Sequence, residues 1–350
     1  MTETNAKRLS STGSGILSGA NPVKLLLRGR AFFALIAIVI VFSLLSPNYF
    51  TASNFLIMSS HVAIYGILAI GMLLVILNGG IDLSVGSILA LCGVVAGALM
   101  QGVVLKPLGV ILFPPVWAVV VLTCALGAVL GALNGVLIAW FKVPAFVTTL
   151  GVMYMARGIA LLMTNGLTYN NLAGRPELGN TGFDWLGFNR LAGVPISVIV
   201  LAVLAVLTGL MLARSSFGRW LYASGGNENA ADLSGVPVNF VKITVYTLSG
   251  VLSAIAGLVL SSQLTSAGPT AGTTYELTAI AAVVIGGAAL TGGRGTVRGT
   301  MLGAFVIGFL SDGLVIIGVS SYWQTVFTGA VIVLAVLMNT IQYGVRGVRR

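Results

Sequence analysis

Charged side chains are scarce in this chain. Only 7% of its 350 residues are Asp, Glu, Lys or Arg, and just 8 are acidic. A soluble domain carries about 25% charged residues, so a water-facing surface is excluded. Histidine is nearly absent as well. The single His61 excludes a paired-His metal site. The two cysteines, Cys92 and Cys124, both lie inside apolar runs. They form neither a metal spacing nor a disulfide framework and read as buried small hydrophobes. No Gly-Lys dipeptide occurs, so there is no phosphate-cradling P-loop and the chain cannot be its own P-loop ATPase. Without paired carboxylates at catalytic spacing, a nucleophile–base pair or a metal set, a membrane-embedded enzyme is a poor fit.

What the chain has instead is hydrophobic residues, 57% of the total, with a mean hydropathy of +1.04. It is a polytopic membrane protein. In lipid the backbone must satisfy its own hydrogen bonds, which leaves helices or a closed barrel. The apolar runs are long and do not alternate, which excludes the barrel. We read about ten spans of roughly 20 residues, near 31–46, 56–78, 84–104, 116–140, 145–164, 193–213, 241–262, 276–291, 299–318 and 323–343. Residues 1–30 are expected to be a disordered cytoplasmic tail, 31–343 one transmembrane domain, and 344–350 a basic cytoplasmic tail. Ala31–Leu45 reads as a first span and not as a removed signal.

With the N-terminus in the cytoplasm, fourteen of the eighteen basic residues fall inside. Only Lys106, Arg175 and Arg190 fall outside, and Arg157 is embedded. The positive-inside rule thus supports that orientation, an even span count and cytoplasmic termini. It also accounts for the net charge of +10. The basic residues are scattered over short loops, unlike the aligned patch that nucleic acid needs.

Two polar segments stand out. The outer one, 165–191, reads as a loop with one short surface helix, and its Phe183, Trp185 and Phe188 suit the lipid–water interface. The cytoplasmic one, 214–242, holds a short helix pattern. Asn227 is an N-cap type, Glu228 and Asp232 are early acids, and Gly235 with Pro237 just beyond is a stop. Such a helix is too short to stand alone in water. A membrane protein that keeps one there usually keeps it for a soluble partner, which points away from a self-contained channel.

Embedded ionisable residues are functional candidates by default. Here they are Asp82, Arg157, Glu276 and Asp312. The span pattern puts Asp82 at a cytoplasmic end, Glu276 and Asp312 toward outer ends, and only Arg157 at the centre. That distribution argues against an ion-coupled carrier. His61, near an outer end, reads as packed or interfacial. The break Asn78-Gly-Gly-Ile-Asp-Leu-Ser-Val-Gly86 is either a cap and tight turn or irregular backbone lining a path. Glycines bunch at 286–308, and Gly299 and Gly303 have small-xxx-small spacing. Val75-Ile-Leu-Asn-Gly-Gly80 is echoed by Val284-Ile-Gly-Gly287, which hints at two related halves. Path candidates are Asn78, Asp82, Asn134, Arg157, Glu276, Thr291, Ser311, Trp323 and Gln324, each equally able to serve packing.

Four segments carry a family resemblance. They are Asn78–Leu91, Thr149–Gly158, Tyr222–Val236, and Tyr275–Gly287 together with Leu290–Gly299. In this order they resemble the ribose-type inner-membrane permeases of bacterial ABC importers, the branch serving monosaccharides and polyols. The resemblance implies an all-helical, vitamin-B12-importer-like (type II) permease fold in the bacterial inner membrane. Two permease chains would form the pore, two cytoplasmic ATPase subunits would bind ATP and Mg, and a periplasmic binding protein would deliver the solute. No cofactor is implied in the chain itself. Gly225, Gly226, Asn227, Glu228, Asn229, Ala230, Ala231, Asp232, Leu233, Ser234 and Gly235 match the family's coupling helix. Departures from the pattern are Ala288, where the family often has a bulkier or hydroxylic residue, and the variable outer loop. Furanosyl signals remain alternative solutes, as do the nucleosides and branched-chain amino acids of more distant branches. A self-contained secondary carrier or channel for a small polar solute is the alternative function.

Overall fold

The computed structural model describes residues 30–105 and 110–347. The expected tail up to residue 29, Lys106 and the last three basic-tail positions lie outside the described residues. The chain is all-α. Its helices are α1 Arg30–Leu45, α2 Ala52–Leu77, α3 Val85–Gln101, α4 Val116–Ala139, α5 Ala145–Thr164, α6 Trp185–Phe188, α7 Ile196–Arg214, α8 Ser216–Gly226, α9 Glu228–Leu233, α10 Val238–Leu264, α11 Tyr275–Ile285, α12 Val297–Ile316 and α13 Ser321–Gly347. Short antiparallel strand pairs join Val103–Leu105 to Val110–Leu112, Tyr169–Asn170 to Ser266–Ala267, and Arg190–Leu191 to Val194–Pro195.

Helices α2, α4, α5, α7, α10 and α12 are long and apolar enough to cross a membrane, and shorter apolar stretches lie in α1, α3, α11 and α13. Each falls on an expected span. The eighth, however, is not a full crossing. Helix α11 ends at Ile285, and its 11 residues rise only about 16 Å, half of the roughly 30 Å hydrocarbon core. The apolar run continues to residue 291 in composition, but Gly287 turns left-handed at φ 91° and stops the helix. At the other end of the chain, α13 carries on past residue 343 to Gly347.

Helix α2 is the hub. Every residue from Gly66 to Leu77 is buried, because α7, α10, α11 and α12 all pack on it. The outer segment is largely irregular, with α6 as its one short α-helix. Trp185 and Phe188 are more than half exposed, as an interface residue should be, but Phe183 is fully buried. Its carbonyl accepts from Ser262 Oγ at 2.7 Å, so it is a plug of the outer core and not an interfacial ring.

Helices in lipid gain nothing from hiding apolar surface from one another, so close approach decides which ones pack. Helix α4 turns Gly127, Gly131 and Gly135 toward α10. A Cβ on Gly131 would lie 2.9 Å from Thr247 Cα, and one on Gly135 2.6 Å from Ile243 Cα. Gly299 and Gly303 of α12 meet Gly286 and Ala282 in the same backbone-on-backbone way. Gly131→Val should therefore force α4 from α10 and cost about 1–3 kcal/mol or more, read as a lower thermal unfolding temperature in detergent. Gly151→Ala, where a Cβ meets nothing within 4 Å, should be neutral. Equal stability of the two variants would refute this packing.

Candidate functional site

Between α2 and α3 the chain does not simply turn. After Leu77 it folds back into the protein as the irregular stretch 78–84 and starts α3 at Val85. Asp82 on this stretch is fully buried. Its Oδ1 accepts from Ser84 N at 3.0 Å and Ser84 Oγ at 2.5 Å, and its Oδ2 from Ser249 Oγ at 2.8 Å. Asn134 Nδ2 donates to Ser84 Oγ at 2.9 Å. Ser249 sits near the middle of α10, so Asp82 lies deep in the protein. The expectation of a cytoplasmic span end is corrected. A span count cannot register a chain that re-enters, and irregular backbone at depth is tolerated where protein surrounds it.

Glu276 is displaced from expectation in the same direction. A Cβ on Gly86, in the first turn of α3, would meet Glu276 Oε2 at 2.5 Å. The starts of α3 and α11 therefore abut inside the molecule, and Glu276 is not toward an outer end. Arg157 of α5 donates to the carbonyls of Pro269 (2.5 Å) and Ala271 (2.8 Å). It thus ties down the irregular backbone ahead of α11, with Glu276 in electrostatic range.

A second assembly lies where α2 and α11 end. Gly80 N donates to Val75 O and Gly79 N to Ile76 O; Ala288 N donates to Val283 O and Gly287 N to Val284 O. Both helices close with the same paired bonds and a left-handed glycine, the Schellman arrangement. The sequence echo thus has a common structure. Gly293 N donates to Leu77 O at 2.9 Å, and α8 is seated against this pair of ends. Ser224 Oγ donates to Asn78 Oδ1 at 3.1 Å and Tyr222 Oη to Gly295 O at 2.8 Å. A Cβ on Gly225 would collide with Leu77 O, and one on Gly293 would lie 2.8 Å from Gly226 Cα.

Helix α9 hangs from this seat. Asn227 caps it by accepting from Ala230 N at 3.0 Å, and Gly235 ends it at φ 81°. Lys242 Nζ donates to both Glu228 oxygens at 2.7 and 2.8 Å, which ties α9 to α10. Ala231 faces inward, whereas Leu233 is 89% exposed. A cavity of about 250 Å³ runs beside this pair, lined by Asn78, Gly80, Lys142, Glu228, Lys242 and Tyr246 among others. Among the described residues the buried Tyr246 hydroxyl and Asn134 Oδ1 have no hydrogen-bond partner.

Residues 54–336 match the family described as "Branched-chain amino acid transport system / permease component". The ribose import permease protein RbsC of Escherichia coli (strain K12) is 43% identical over 314 residues, covering 90% of this chain and 94% of that one. The Bacillus subtilis (strain 168) protein of the same name is 46% identical, covering 88% and 91%. The xylose transport system permease protein XylH of Escherichia coli (strain K12) is 35% identical, covering 88% and 90%. The chain belongs to this permease family. No solved structure matches it.

The permease's path candidates separate into four places. Asp82 and Asn134 share the buried centre. Arg157 and Glu276 meet at the start of α11. Asn78 and the exposed Thr291 belong to the α8 seat, where Thr291 O lies 3.8 Å from a Cβ on Gly79. Ser311 on α12, with the half-exposed Trp323 and Gln324 on α13, stands apart from the other three groups. Gln324 Nε2 donates to Val319 O at 2.8 Å. Nearby on α12, Asp312 Oδ1 pairs with His61 Nδ1 at 3.1 Å, which makes His61 a packed, half-exposed residue. Cys92 is buried and its thiol faces Thr123 O at 3.7 Å. Among the described residues no three His, Cys, Asp or Glu side chains gather for a metal ion.

Sequence reading placed Ser84 in the 78–86 break but missed Tyr246 and Ser249. The available signal was Ser249 and Ser253, one turn apart on an apolar helix. Asp82→Ala should leave three donor groups around it unpaired and cost about 3 kcal/mol or more, with lowered thermal stability and lost transport. Asp82→Asn keeps an acceptor oxygen and should lose less. A wild-type melting temperature for Asp82→Ala would refute the role of this cluster.

Proposed function

We propose that this permease is the membrane subunit of an ATP-driven importer and moves a small, neutral, hydroxyl-rich solute, a pentose or related sugar or polyol. The carrying observation is the seat of α8 and α9. The short helix exposes Glu228, Asn229, Asp232 and Leu233, the kind of surface a soluble partner needs. Its support rests, glycine on backbone, against the ends of α2 and α11. The partner in this reading is a pair of ABC ATPase subunits, which bind ATP and Mg and grip Gly225–Gly235.

A second permease chain, identical or sister, completes the pore, and a periplasmic binding protein presents the solute. The chain lies in the bacterial inner membrane with both termini cytoplasmic. The ribose and xylose permeases named above support the solute class. ATP favours one arrangement of its subunits, and α9 passes that preference to the permease as a population shift.

Two variants test this. Scrambling Glu228–Asp232 should abolish co-purification of an ATPase and reduce uptake to background while the permease stays inserted. Gly225→Val should keep α9 intact but unseat α8, with uptake lowered at least tenfold. Normal uptake in both would remove the coupling assignment. Ion-gradient-driven uptake by liposomes holding this chain alone would instead favour a self-contained carrier.

A further inference from the structure

A groove of about 950 Å³ separates α7 from α12, away from the polar centre and from α9. Its walls are apolar and include Val206, Gly209, Leu210, Met301, Leu302 and Phe305. The outward face of α7 around it, with Val203, Val206, Leu207 and Leu210 exposed, is what a lipid-facing helix presents. The end of the groove is different in character. There Arg214, in the last turn of α7, and Arg298, in the first turn of α12, line it together with Tyr222.

Both arginines are exposed, and no acidic residue lines the groove. Among the described residues neither guanidinium has a hydrogen-bond or ion-pair partner. Arg157, by contrast, is satisfied by two carbonyls and Arg219 by Ser215 and Ser216. Two uncompensated cations at the mouth of an apolar slot call for an amphiphile with an anionic head.

Dimensions agree. From Ala205 to Arg214 the groove follows ten residues of α7, a rise of about 14 Å over nine steps. That is close to half of the roughly 30 Å hydrocarbon core, the depth of one leaflet. The two arginines fall on the cytoplasmic side by the positive-inside assignment, where anionic lipid attracts basic residues and basic pockets between helices hold anionic head groups.

We propose that this groove is a binding site for one anionic phospholipid of the cytoplasmic leaflet. An acyl chain lies along α7 and α12, and the head-group phosphate is held between Arg214 and Arg298. The site clamps α7 to α12 at the point where α7 leads into α8.

Native mass spectrometry of the full-length permease titrated with phosphatidylglycerol and, separately, with phosphatidylcholine of the same acyl chains tests the proposal. The expected result is a single tightly held phosphatidylglycerol per chain that phosphatidylcholine does not reproduce. R214Q/R298Q should weaken it about thirtyfold, from the contribution of two basic residues. Gly209→Phe should displace it too, because a Cβ there meets nothing within 4 Å and the ring would fill the groove. Should Gly209→Phe fail to elute as a folded species, R214Q/R298Q decides, since both side chains are exposed. Equal retention of the two lipids, or undiminished phosphatidylglycerol binding in R214Q/R298Q, would overturn the proposal. Displacement of the lipid by millimolar inorganic phosphate would overturn it in favour of a free-anion site. A disulfide between two chains through cysteines placed in this groove would assign it to permease pairing instead.

Discussion

A carboxyl group in the middle of a membrane protein must be surrounded by donors, and the centre of this permease is organised by that requirement at Asp82. Two of its three hydrogen bonds come from Ser84, two residues on, which fixes the irregular stretch as a compact turn and sets where α3 begins. The third comes from Ser249 and holds α10 at a fixed height beside the break. Asn134 of α4 joins through Ser84. Four segments are thus positioned by one side chain, and none of them could slide by a helical turn without leaving a buried polar group unmet. Such groups are costly in a low-dielectric interior.

That arrangement is possible only because the helices come close. For Ser249 to reach Asp82, α10 must lie against α2, and a Cβ on Gly71 would sit 3.2 Å from Ser249 Cα. For Asn134 to reach Ser84, α4 must lie against α10, which Gly127, Gly131 and Gly135 allow. The same device operates at the α8 seat, where Gly225, Gly292 and Gly293 bring α8 onto the ends of α2 and α11. At these positions glycine sets the distance between backbones, where polar groups from different helices must meet.

The parts that were legible in the sequence are those governed by local chemistry. Asn227 and Gly235 carry the cap and stop of α9 in their own side chains and backbone preferences. Helix α5 occupies 145–164 as expected because Pro144 precedes it and Asn165, at φ 50°, ends it. What the sequence could not show is depth. An apolar run that includes Gly286 and Gly287 has the composition of a span, yet the helix stops there. Asp82 follows a helix end in the chain, yet the chain turns back and carries it to the level of Ser249. Phe183 looks interfacial until the outer loop folds over the end of α10. In each case the decisive contact is made by residues far away in sequence, and periodicity holds no record of them.

Helix α2 connects the two polar assemblies, and its burial determines what it can transmit. Its last carbonyls receive Gly293 and abut Gly225; six residues earlier Gly71 abuts Ser249; sixteen residues before Leu77, His61 pairs with Asp312 of α12. The stretch of α2 from Gly66 to Leu77, buried throughout, cannot bend locally without opening voids or clashes. A displacement imposed at Leu77 must then move α2 as a body or repack its neighbours into a second discrete arrangement, which is how packed cores amplify small shifts. In the proposed reading the force enters at α9, passes through the glycine seat to α2 and α11, and reaches the irregular backbone around Asp82 and Glu276. That backbone is where such a force would have most effect. Helical segments are held by their own hydrogen-bond ladders, whereas the stretches 78–84 and 268–274 depend on side chains of other helices, Ser249 for the first and Arg157 for the second. In that reading, when those helices shift these stretches lose or exchange their partners, and a solute path through the centre opens or closes without any helix unwinding.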